Sequence, residues 1–375
     1  MKIRAAVLNA IGNKGPYAQT KPLTIEEVEL KPPGYGEVLI QIGAAGLCHS
    51  DLSVINGDRP RPMPMALGHE AAGIVEELGP GVTDLKKGDK VVLVFVPSCG
   101  HCAPCAEGRP ALCEPGAAAN TAGTLLNGDR RIFRGDGSIV NHHLGCSAFA
   151  THAVVSRNSV VKVHPDLPLD QAALFGCAVL TGMGAVVNTA GVKPGQTVAV
   201  IGLGGVGLAS ILGAVISGAR IVAAVDLSEE KLALAKELGA THTFIASDPD
   251  LVNKFKEATK GGVDFAVEMA GSPRAFDTAY KITRRGGTTL TAGLPPPTAT
   301  WAMPGVNLVA EERTIKGSYI GTCVPSRDIP RYVDLFMQGR LPVNKLKSGE
   351  MPLAQINEGF DLLHDGKVVR QVIIP

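Results

Sequence analysis

The sequence predicts an α/β protein in which a doubly wound parallel sheet is inserted into a β-rich domain. Its 375 residues and 38.9 kDa exceed one ordinary domain of roughly 100–200 residues. Short apolar runs between glycine and proline turns fill residues 1–170, as in a chain of many short strands. From residue 170 onward, apolar strands alternate with helical segments, which is typical of a parallel sheet covered by helices.

The elements follow from this pattern in order. In the β-rich part the predicted strands cover residues 1–8, 38–42, 72–75 and 90–95. The alternating part is predicted as helices over 170–188 and 207–217 and strands over 197–201, 220–226, 263–268 and 288–292. The final predicted elements are helices over 329–338 and 353–365 and a strand over 368–374. We therefore predict a first domain over 1–178, a second over 179–319, and a return to the first over 320–375.

Charge and hydropathy exclude several classes of protein. The formal net charge is +1, from 36 basic and 35 acidic residues, whereas nucleic acids and anionic membranes attract a concentrated basic surface. No apolar run reaches the roughly 18–20 residues that span a bilayer. The first residues resemble a strand and lack the long apolar stretch of a signal peptide. We expect a cytoplasmic protein that binds neither nucleic acid nor membrane.

A glycine-rich turn predicts a dinucleotide site. The strand over 197–201 runs into Gly202-Leu203-Gly204-Gly205-Val206-Gly207, which opens an apolar helix. Glycines there permit a tight turn and close backbone approach to a pyrophosphate, and the helix N-terminus favours the anion. The next strand ends in Asp226, where an acid binds the ribose 2′-hydroxyl. Because this carboxylate would repel a 2′-phosphate, NAD is favoured over NADP.

Four of the eight cysteines lie close together in sequence. They are Cys99, Cys102, Cys105 and Cys113. Four thiolates at such spacing form a closed tetrahedral zinc site, which has no open position and is therefore structural. We leave His101 out of this site because four sulfurs already complete the coordination.

A second set of metal-ligand types is dispersed along the chain. Cys48, His69 and Cys177 offer two thiolates and an imidazole, and three protein ligands with one open position are typical of catalytic zinc. Spacing alone does not bring these residues together, since a single buried cysteine more often serves packing. Cys146 and Cys323 are predicted to be packing residues.

Together these motifs resemble the zinc-containing medium-chain alcohol dehydrogenase family over essentially the whole chain. The segments that carry the resemblance are residues 68–73, 99–113, 202–207 and 366–370. The resemblance implies a GroES-like catalytic domain and a Rossmann-type nucleotide-binding domain. It also implies two zinc ions per chain, one catalytic and one structural, and NAD as the cofactor. The implied reaction is reversible hydride transfer between a primary aliphatic or aryl alcohol and NAD, giving an aldehyde or ketone.

The resemblance also implies roles near the catalytic zinc. Asp51 would orient His69 and fix its tautomer. Glu70 stands where the family has an acid that can transiently coordinate the metal. Ser50 would accept the alcohol proton and pass it on. Well-known members have a histidine at the end of this relay, whereas this chain has Ser53, so the end of the relay stays open.

Further residues match the family's cofactor and substrate positions. His49 and Arg370 match positions that contact the pyrophosphate. Lys231 matches a position that contacts the ribose, and Thr181 and Val206 match positions that hold the nicotinamide face. Phe95, Leu294 and Tyr319 match positions that line the family's substrate channel.

Three alternatives remain at this point. His49 is similar to the glutathione-dependent formaldehyde dehydrogenase branch, which oxidises S-(hydroxymethyl)glutathione. Residues 56–59 and 114–117 lack that branch's acids and arginine, which weakens this alternative. A non-catalytic binding or structural protein on the same fold and a zinc-free reductase are the others; neither has a reason to keep three zinc ligands.

The long segment 116–144 indicates quaternary structure. We interpret it as a loop, and longer loops there accompany the dimeric branch of the family. We therefore predict a homodimer formed through the nucleotide-binding domains, with residues 301–318 as the seam.

Overall fold

The computed structural model describes residues 1–375 and divides into two compact units. The first comprises Met1–Cys177 and Val324–Pro375, and the second Ala178–Cys323. The chain thus leaves the first unit after Cys177 and returns at Val324, whereas the sequence analysis set these boundaries after residues 178 and 319. The predicted fold class, a β-rich domain with an inserted parallel α/β domain, is confirmed.

The first unit contains a closed five-stranded barrel and a seven-stranded sheet. In hydrogen-bonded order the barrel strands are Lys2–Leu8, Leu23–Leu30, Ile132–Phe133, Ile139–His142 and Met65–Ala66. The sheet runs Val160–Lys162, Lys90–Leu93, Ala71–Leu78, Glu37–Gly46, Gln371–Ile374 and Gly349–Pro352, and His152–Ser156 also pairs with Glu37–Gly46. Barrel residues such as Ile3, Val7 and Val28 are buried in one apolar cluster, because alternate side chains of a strand point to the same face.

Strand register brings distant residues to one edge of this sheet. Glu37–Gly46 and Ala71–Leu78 are antiparallel, with Ala45 opposite Ala71. The residues that follow the first strand therefore lie beside those that precede the second. Ala71 also pairs with Leu93, and Gly46 pairs with Val372 near the C-terminus. Four separate parts of the chain consequently meet at this edge.

Two sequence interpretations are wrong, and the first concerns this unit. Segment 116–144 is not one long loop, because it contains most of the helix Glu114–Ala122 and two barrel strands. The side chain of Cys113 accepts a hydrogen bond from the Gly116 amide and caps that helix. The other α-helices of the unit are Tyr17–Thr20, His49–Ile55, Ala103–Ala106, Leu169–Ala172, Pro325–Met337 and Ile356–His364. Its 3-10 turns are Pro110–Leu112, Arg157–Ser159, Ala173–Gly176, Val343–Leu346 and Leu353–Gln355.

The predicted helix over 170–188 is likewise not continuous. The chain leaves helical conformation at Cys177, with φ −139° and ψ −70°, and then forms the α-helix Ala178–Gly184 and the π-helix Ala185–Ala190. A Cβ at Gly176 would lie 2.3 Å from the Leu93 carbonyl oxygen. The backbone at Gly176 therefore packs directly against the strand that ends at Leu93. This tertiary contact outweighs the helical preference that the apolar pattern predicts.

The second unit is a six-stranded parallel sheet with helices between its strands. Its order is His242–Ile245, Ile221–Asp226, Thr197–Ile201, Val263–Glu268, Thr283–Thr291 and Thr314–Gly317. The further helices are Gly205–Ile216, Glu229–Glu237, Leu251–Thr259, Pro273–Ile282 and Gly305–Ala310, with a 3-10 turn at Ile320–Thr322. All five residues of Thr197–Ile201 are buried, as expected of a strand covered on both faces. The strand order reverses beside this strand, which is where such sheets bind nucleotides.

No single helix is long and apolar enough to cross a bilayer, although the adjacent short helices Leu169–Gly176 and Ala178–Ala190 have that length and composition when taken together.

Candidate metal centres and nucleotide site

Cys48, His69 and Cys177 converge at the sheet edge of the first unit. Cys48 precedes the helix His49–Ile55, and His69 precedes the strand Ala71–Leu78. One ligand atom from each residue lies within 4.8 Å of those of the other two, and all three residues are buried. The Nε2 atom of His69 has no hydrogen-bond partner. A buried nitrogen without a partner is costly, and two sulfurs and one imidazole are a donor set that fits zinc with one position left open.

The two thiols of this cluster have opposite acidities. A hydrogen bond from Cys177, together with the charges of Arg370 and His69, lowers the pKa of Cys48 well below its usual value. The same hydrogen bond and burial raise the pKa of Cys177 well above its usual value. Of the two thiols, Cys48 is therefore the one whose ionised form the surroundings favour. A metal ion in the cluster would displace the remaining proton, since thiolates are the metal ligands.

Asp51 orients His69. Its Oδ1 lies 3.0 Å from His69 Nδ1 and accepts a hydrogen bond from the Gly68 amide at 3.2 Å. Both side chains are fully buried. Burial opposes ionisation of Asp51, but the charge of His69 and contacts with His143 and His69 lower the pKa of the carboxyl group. The Nδ1 of His69 thus carries the proton towards Asp51, which leaves Nε2 for a metal.

His143 is a neighbour of this centre that the sequence analysis missed. Its Nδ1 lies 3.2 Å from Asp51 Oδ1, and its ring packs edge-on against His69 with 5.7 Å between centroids. It is 2% exposed. No motif marks this position, since His143 is distant from Asp51 in sequence; only the pairing of barrel strands brings it close.

Glu70 and Arg370 form a buried ion pair beside the cluster. Arg370 Nη1 lies 3.3 Å from Glu70 Oε2 and donates to the Leu47 carbonyl at 2.7 Å. Burial raises the pKa of Glu70 to about 7, although the charge of Arg370 opposes this shift. A Cβ at Gly46 would lie 3.0 Å from the Glu70 carboxyl carbon, so glycine is what leaves room for this acid. Arg370 is 3% exposed, and its role at a pyrophosphate stays a prediction.

The predicted relay residues lie on the helix that follows Cys48. His49 is exposed and Ser50 half-buried at the start of His49–Ile55. The Ser53 hydroxyl donates to the His49 carbonyl at 2.8 Å. Ser53 is therefore bonded to its own helix backbone, and the relay roles of Ser50 and Ser53 stay predictions.

The four cysteines at 99–113 form a second, local cluster. Their sulfurs lie within 4.8 Å of one another. Backbone amides donate to these sulfurs: Cys99 to Cys113 at 3.2 Å, Cys102 to Cys99 at 3.3 Å and Gly116 to Cys113 at 3.4 Å. Backbone hydrogen bonds lower the pKa of Cys99 to about 6. Such bonds stabilise thiolates, and four sulfurs fit a closed tetrahedral zinc site. His101 Nδ1 instead lies 2.9 Å from the Cys99 carbonyl oxygen.

The glycine motif of the second unit forms the predicted turn. Gly202 has φ +90° and a Cβ there would lie 2.8 Å from the Ala270 amide, so a side chain does not fit. A Cβ at Gly207 would lie 1.9 Å from the Gly202 carbonyl oxygen. Gly204 is the N-cap of the helix that begins at Gly205. Asp226 ends the next strand, where its Oδ2 accepts from the Leu203 amide at 2.6 Å. The motif and the acid thus lie together at the strand ends.

Three other predicted cofactor residues lie in this unit. Ser228 caps the helix of Lys231 by accepting from its amide at 3.3 Å. Thr181 and Val206 lie on helices that touch, since a Cβ at Gly182 would be 2.2 Å from the Val206 carbonyl oxygen. Their contacts with a cofactor stay predictions.

The predicted substrate residues are divided between the units. Phe95 packs edge-on against His69, with 5.2 Å between ring centroids. Leu294 and Tyr319 belong to the second unit, where they are 52% and 40% exposed. Cys146 and Cys323 are buried, and the Cys323 thiol donates to the Leu180 carbonyl at 3.3 Å, as expected of packing residues.

Comparison with known proteins identifies relatives of both units. Residues 34–165 match the alcohol dehydrogenase GroES-like domain, and residues 205–338 match the zinc-binding dehydrogenase domain. A solved alcohol dehydrogenase zinc-binding domain protein from Burkholderia ambifaria is 36% identical, with a TM-score of 0.94 over 100% of this chain and 99% of that one. Benzyl alcohol dehydrogenase from Acinetobacter calcoaceticus is 34% identical, with a TM-score of 0.92 over the same shares. A candidate zinc-binding dehydrogenase from Sinorhizobium meliloti 1021, bound to NADP, is 26% identical, with a TM-score of 0.79 over 100% of both chains.

Proposed function

Because the chain belongs to the zinc-dependent medium-chain alcohol dehydrogenase family, we propose that it is an NAD- and zinc-dependent alcohol dehydrogenase. The reaction is reversible hydride transfer between an alcohol and NAD. One observation carries the proposal: a buried cluster of Cys48, His69 and Cys177 in which the Nε2 atom of His69 lacks any partner. Such a set is built to receive a metal ion and leaves one coordination position for a substrate.

In this proposal the residues around the cluster have separate roles. When bound, zinc would act as a Lewis acid that lowers the pKa of an alcohol. Cys48, His69 and Cys177 would hold the ion, and Asp51 keeps His69 in the tautomer that leaves Nε2 free. Ser50, half-buried two residues after Cys48, would take the alcohol proton. Burial of Cys48, His69 and Cys177 would keep bulk water away from an ion held there.

The position of Asp226 supports a choice between NAD and NADP. The Asp226 carboxylate ends the second strand of the parallel sheet and adjoins the glycine turn through the Leu203 amide. A carboxylate there suits a ribose 2′-hydroxyl and repels a 2′-phosphate. We therefore propose NAD, although the Sinorhizobium meliloti relative was solved with NADP. His49, Lys231 and Arg370 are the proposed cationic contacts, and Thr181 and Val206 the proposed nicotinamide contacts.

The proposed substrate is a primary aliphatic or aryl alcohol. Phe95 presents an aromatic ring next to His69, and rings of this kind pack well against benzylic groups. The similarity to a benzyl alcohol dehydrogenase is in keeping with this substrate class.

We also propose a homodimer and a cytoplasmic location. The last strand of the parallel sheet, Thr314–Gly317, is an exposed edge, and such an edge can pair with a second copy. Val306 and Val309 on the preceding helix are 69% and 80% exposed, which adds apolar surface near this edge. The eight cysteines are free, and a reducing compartment keeps such thiols available.

Metal content combined with turnover tests the proposal. The purified chain is assayed for zinc per chain and for NADH formation from ethanol, hexanol, benzyl alcohol, sorbitol and formaldehyde with glutathione. Two zinc ions and NADH from one or more of the alcohols support it. Turnover only with formaldehyde and glutathione would favour the glutathione-dependent branch. A chain without metal would favour a zinc-free reductase, and metal without turnover a binding protein.

A further inference from the structure

Two histidines share one carboxylate oxygen at the proposed catalytic centre. His69 Nδ1 lies 3.0 Å and His143 Nδ1 3.2 Å from Asp51 Oδ1. All three side chains are at most 2% exposed. Only His69 belongs to the cluster of Cys48 and Cys177; its neighbour His143 joins Asp51 and His69 alone. His143 is thus not one of the proposed zinc ligands.

The backbone fastens His143 to the segment that carries His69. The barrel strands Met65–Ala66 and Ile139–His142 run parallel, with Ala66 opposite His142, so that the residues after each strand are neighbours. Beyond His143 the chain turns back and pairs again, with Ala148 donating to the Gly68 carbonyl at 3.0 Å and Phe149 to the Leu67 carbonyl at 3.0 Å. His143 is therefore held from both sides.

The turn itself is tightly specified. The His143 amide donates to the Ser147 hydroxyl at 2.9 Å, and the Ser147 amide returns a hydrogen bond to the His143 carbonyl at 3.2 Å. Leu144 and Ser147 have φ angles of +52° and +50°, which residues other than glycine rarely adopt. Backbone strain of this kind persists where the surroundings over-determine it.

Asp51 has few other partners. Its Oδ1 receives the contacts from His69, His143 and the Gly68 amide, whereas its Oδ2 is buried without a hydrogen bond. The contact from His143 is close but poorly aligned. A buried carboxylate with one unpaired oxygen depends on each remaining contact, so loss of His143 would leave Asp51, and with it the ring of His69, held by fewer contacts.

We propose that His143 is a positioning residue of the catalytic metal centre, which acts through Asp51 to fix the ring of His69 and so sets how tightly zinc is held. The inference rests on the proposed function, because it takes Cys48, His69 and Cys177 as the zinc ligands. Replacing the group that bonds a ligating histidine typically changes metal affinity by about 10–100-fold; here that group is Asp51, on which His143 acts.

Zinc release from the holoenzyme into excess chelator tests the proposal without an activity assay. The catalytic zinc is identified as the release phase that a Cys48→Ala variant lacks. His143→Phe keeps an aromatic ring but removes the Nδ1 contact, and we expect it to speed this phase about tenfold. His143→Asn, whose amide replaces Nδ1, should restore most of the wild-type rate. The matched control is His142→Phe, since His142 is also buried but bonds the Arg131 amide; its release phase should match the wild type.

A double variant separates positioning from packing. If His143 acts through Asp51, then His143→Phe should change release less than about twofold in an Asp51→Asn background. This comparison holds even if the single variant is less stable, because packing losses would persist in both backgrounds. An unchanged or slower release in His143→Phe, or the same tenfold effect without Asp51, would overturn the proposal. A wild-type protein in which no release phase depends on Cys48 would instead overturn the proposed function.

Discussion

The two candidate metal centres of the first unit are built in opposite ways. The cluster of Cys99, Cys102, Cys105 and Cys113 lies on one local stretch and surrounds its sulfurs with backbone amides. The cluster of Cys48, His69 and Cys177 is assembled from separate parts of the chain and orients its histidine through a buried side chain. A local loop can hold a metal with its own backbone, whereas an open reactive site needs the packed domain around it. The comparison predicts that substitutions in the cluster at 99–113 lower the stability of the fold. Substitutions of Cys48, His69 or Cys177 should instead lower the rate of the reaction.

The largest expected effect is the loss of the dispersed centre. Cys48→Ala should reduce turnover by at least about 1,000-fold, because a Lewis acid contributes several kcal/mol to the transition state. The chain should keep one zinc and melt within a few degrees of the wild type. Zinc content, steady-state rates and thermal unfolding measure this. Substantial turnover with one zinc per chain would contradict the assignment.

The local centre should respond in the opposite sense. Cys113 is fully buried and accepts from two backbone amides. Cys113→Ser should lower the free energy of unfolding by on the order of 4 kcal/mol, since loss of a metal is among the most damaging changes. Turnover per folded molecule should fall far less than in Cys48→Ala. Denaturant unfolding with parallel rate measurements checks this; unchanged stability would refute a structural role.

A substitution at Ser50 tests the proton-transfer step while the metal ligands stay in place. Ser50→Ala should lower turnover about 100-fold, which is the lower range for a positioned proton acceptor, and should leave zinc content unchanged. Ser53→Ala is the matched control, because the Ser53 hydroxyl is bonded to the His49 carbonyl and should matter little. A Ser50→Ala enzyme with wild-type turnover would remove Ser50 from the relay.

His142 gives a pH-dependent effect that is independent of both centres. Burial, with the charges of Arg130 and Arg131, lowers the pKa of His142 from 6.5 to about 3. Between these values the unfolded chain binds more protons, so stability falls as the pH drops below about 6.5. At pH 5 the loss should be about 2 kcal/mol relative to pH 7. His142→Gln can keep an acceptor for the Arg131 amide and should lose about 2 kcal/mol less than the wild type over this interval. Equal losses in urea unfolding would contradict the assignment.

Asp226 gives the smallest expected effect. Asp226→Gly removes the charge that repels a 2′-phosphate, so the ratio of kcat/KM for NAD and NADP should shift about tenfold towards NADP, equivalent to about 1.4 kcal/mol. Asp248→Gly is a control, since Asp248 lies in another turn and pairs with Lys254 of the following helix. An unchanged ratio would show that Asp226 does not read the ribose.

The same contrast explains what could be predicted from the sequence. The local cysteine cluster and the glycine turn are contiguous, so spacing and flanking strands identified them. Cys48, His69 and Cys177 came from family resemblance, because no local pattern indicates that their strands share an edge. No sequence pattern indicated His143, because its neighbours are set by the pairing of the two-residue strand Met65–Ala66 with Ile139–His142. The helix over 170–188 was wrong because contact between Gly176 and Leu93 decides the backbone at Cys177.

The glycine turn holds a lesson for protein engineering. A Cβ at Gly202 or Gly207 would collide with neighbouring backbone, whereas a Cβ at Gly204 would meet nothing within 4 Å. Two of these glycines are therefore demanded by the architecture itself, and the third is not. A mutant library that aims to change cofactor preference should keep Gly202 and Gly207 fixed. Position 204 has room for a side chain, so a small substitution there tests the approach of the ligand more than the packing of the fold.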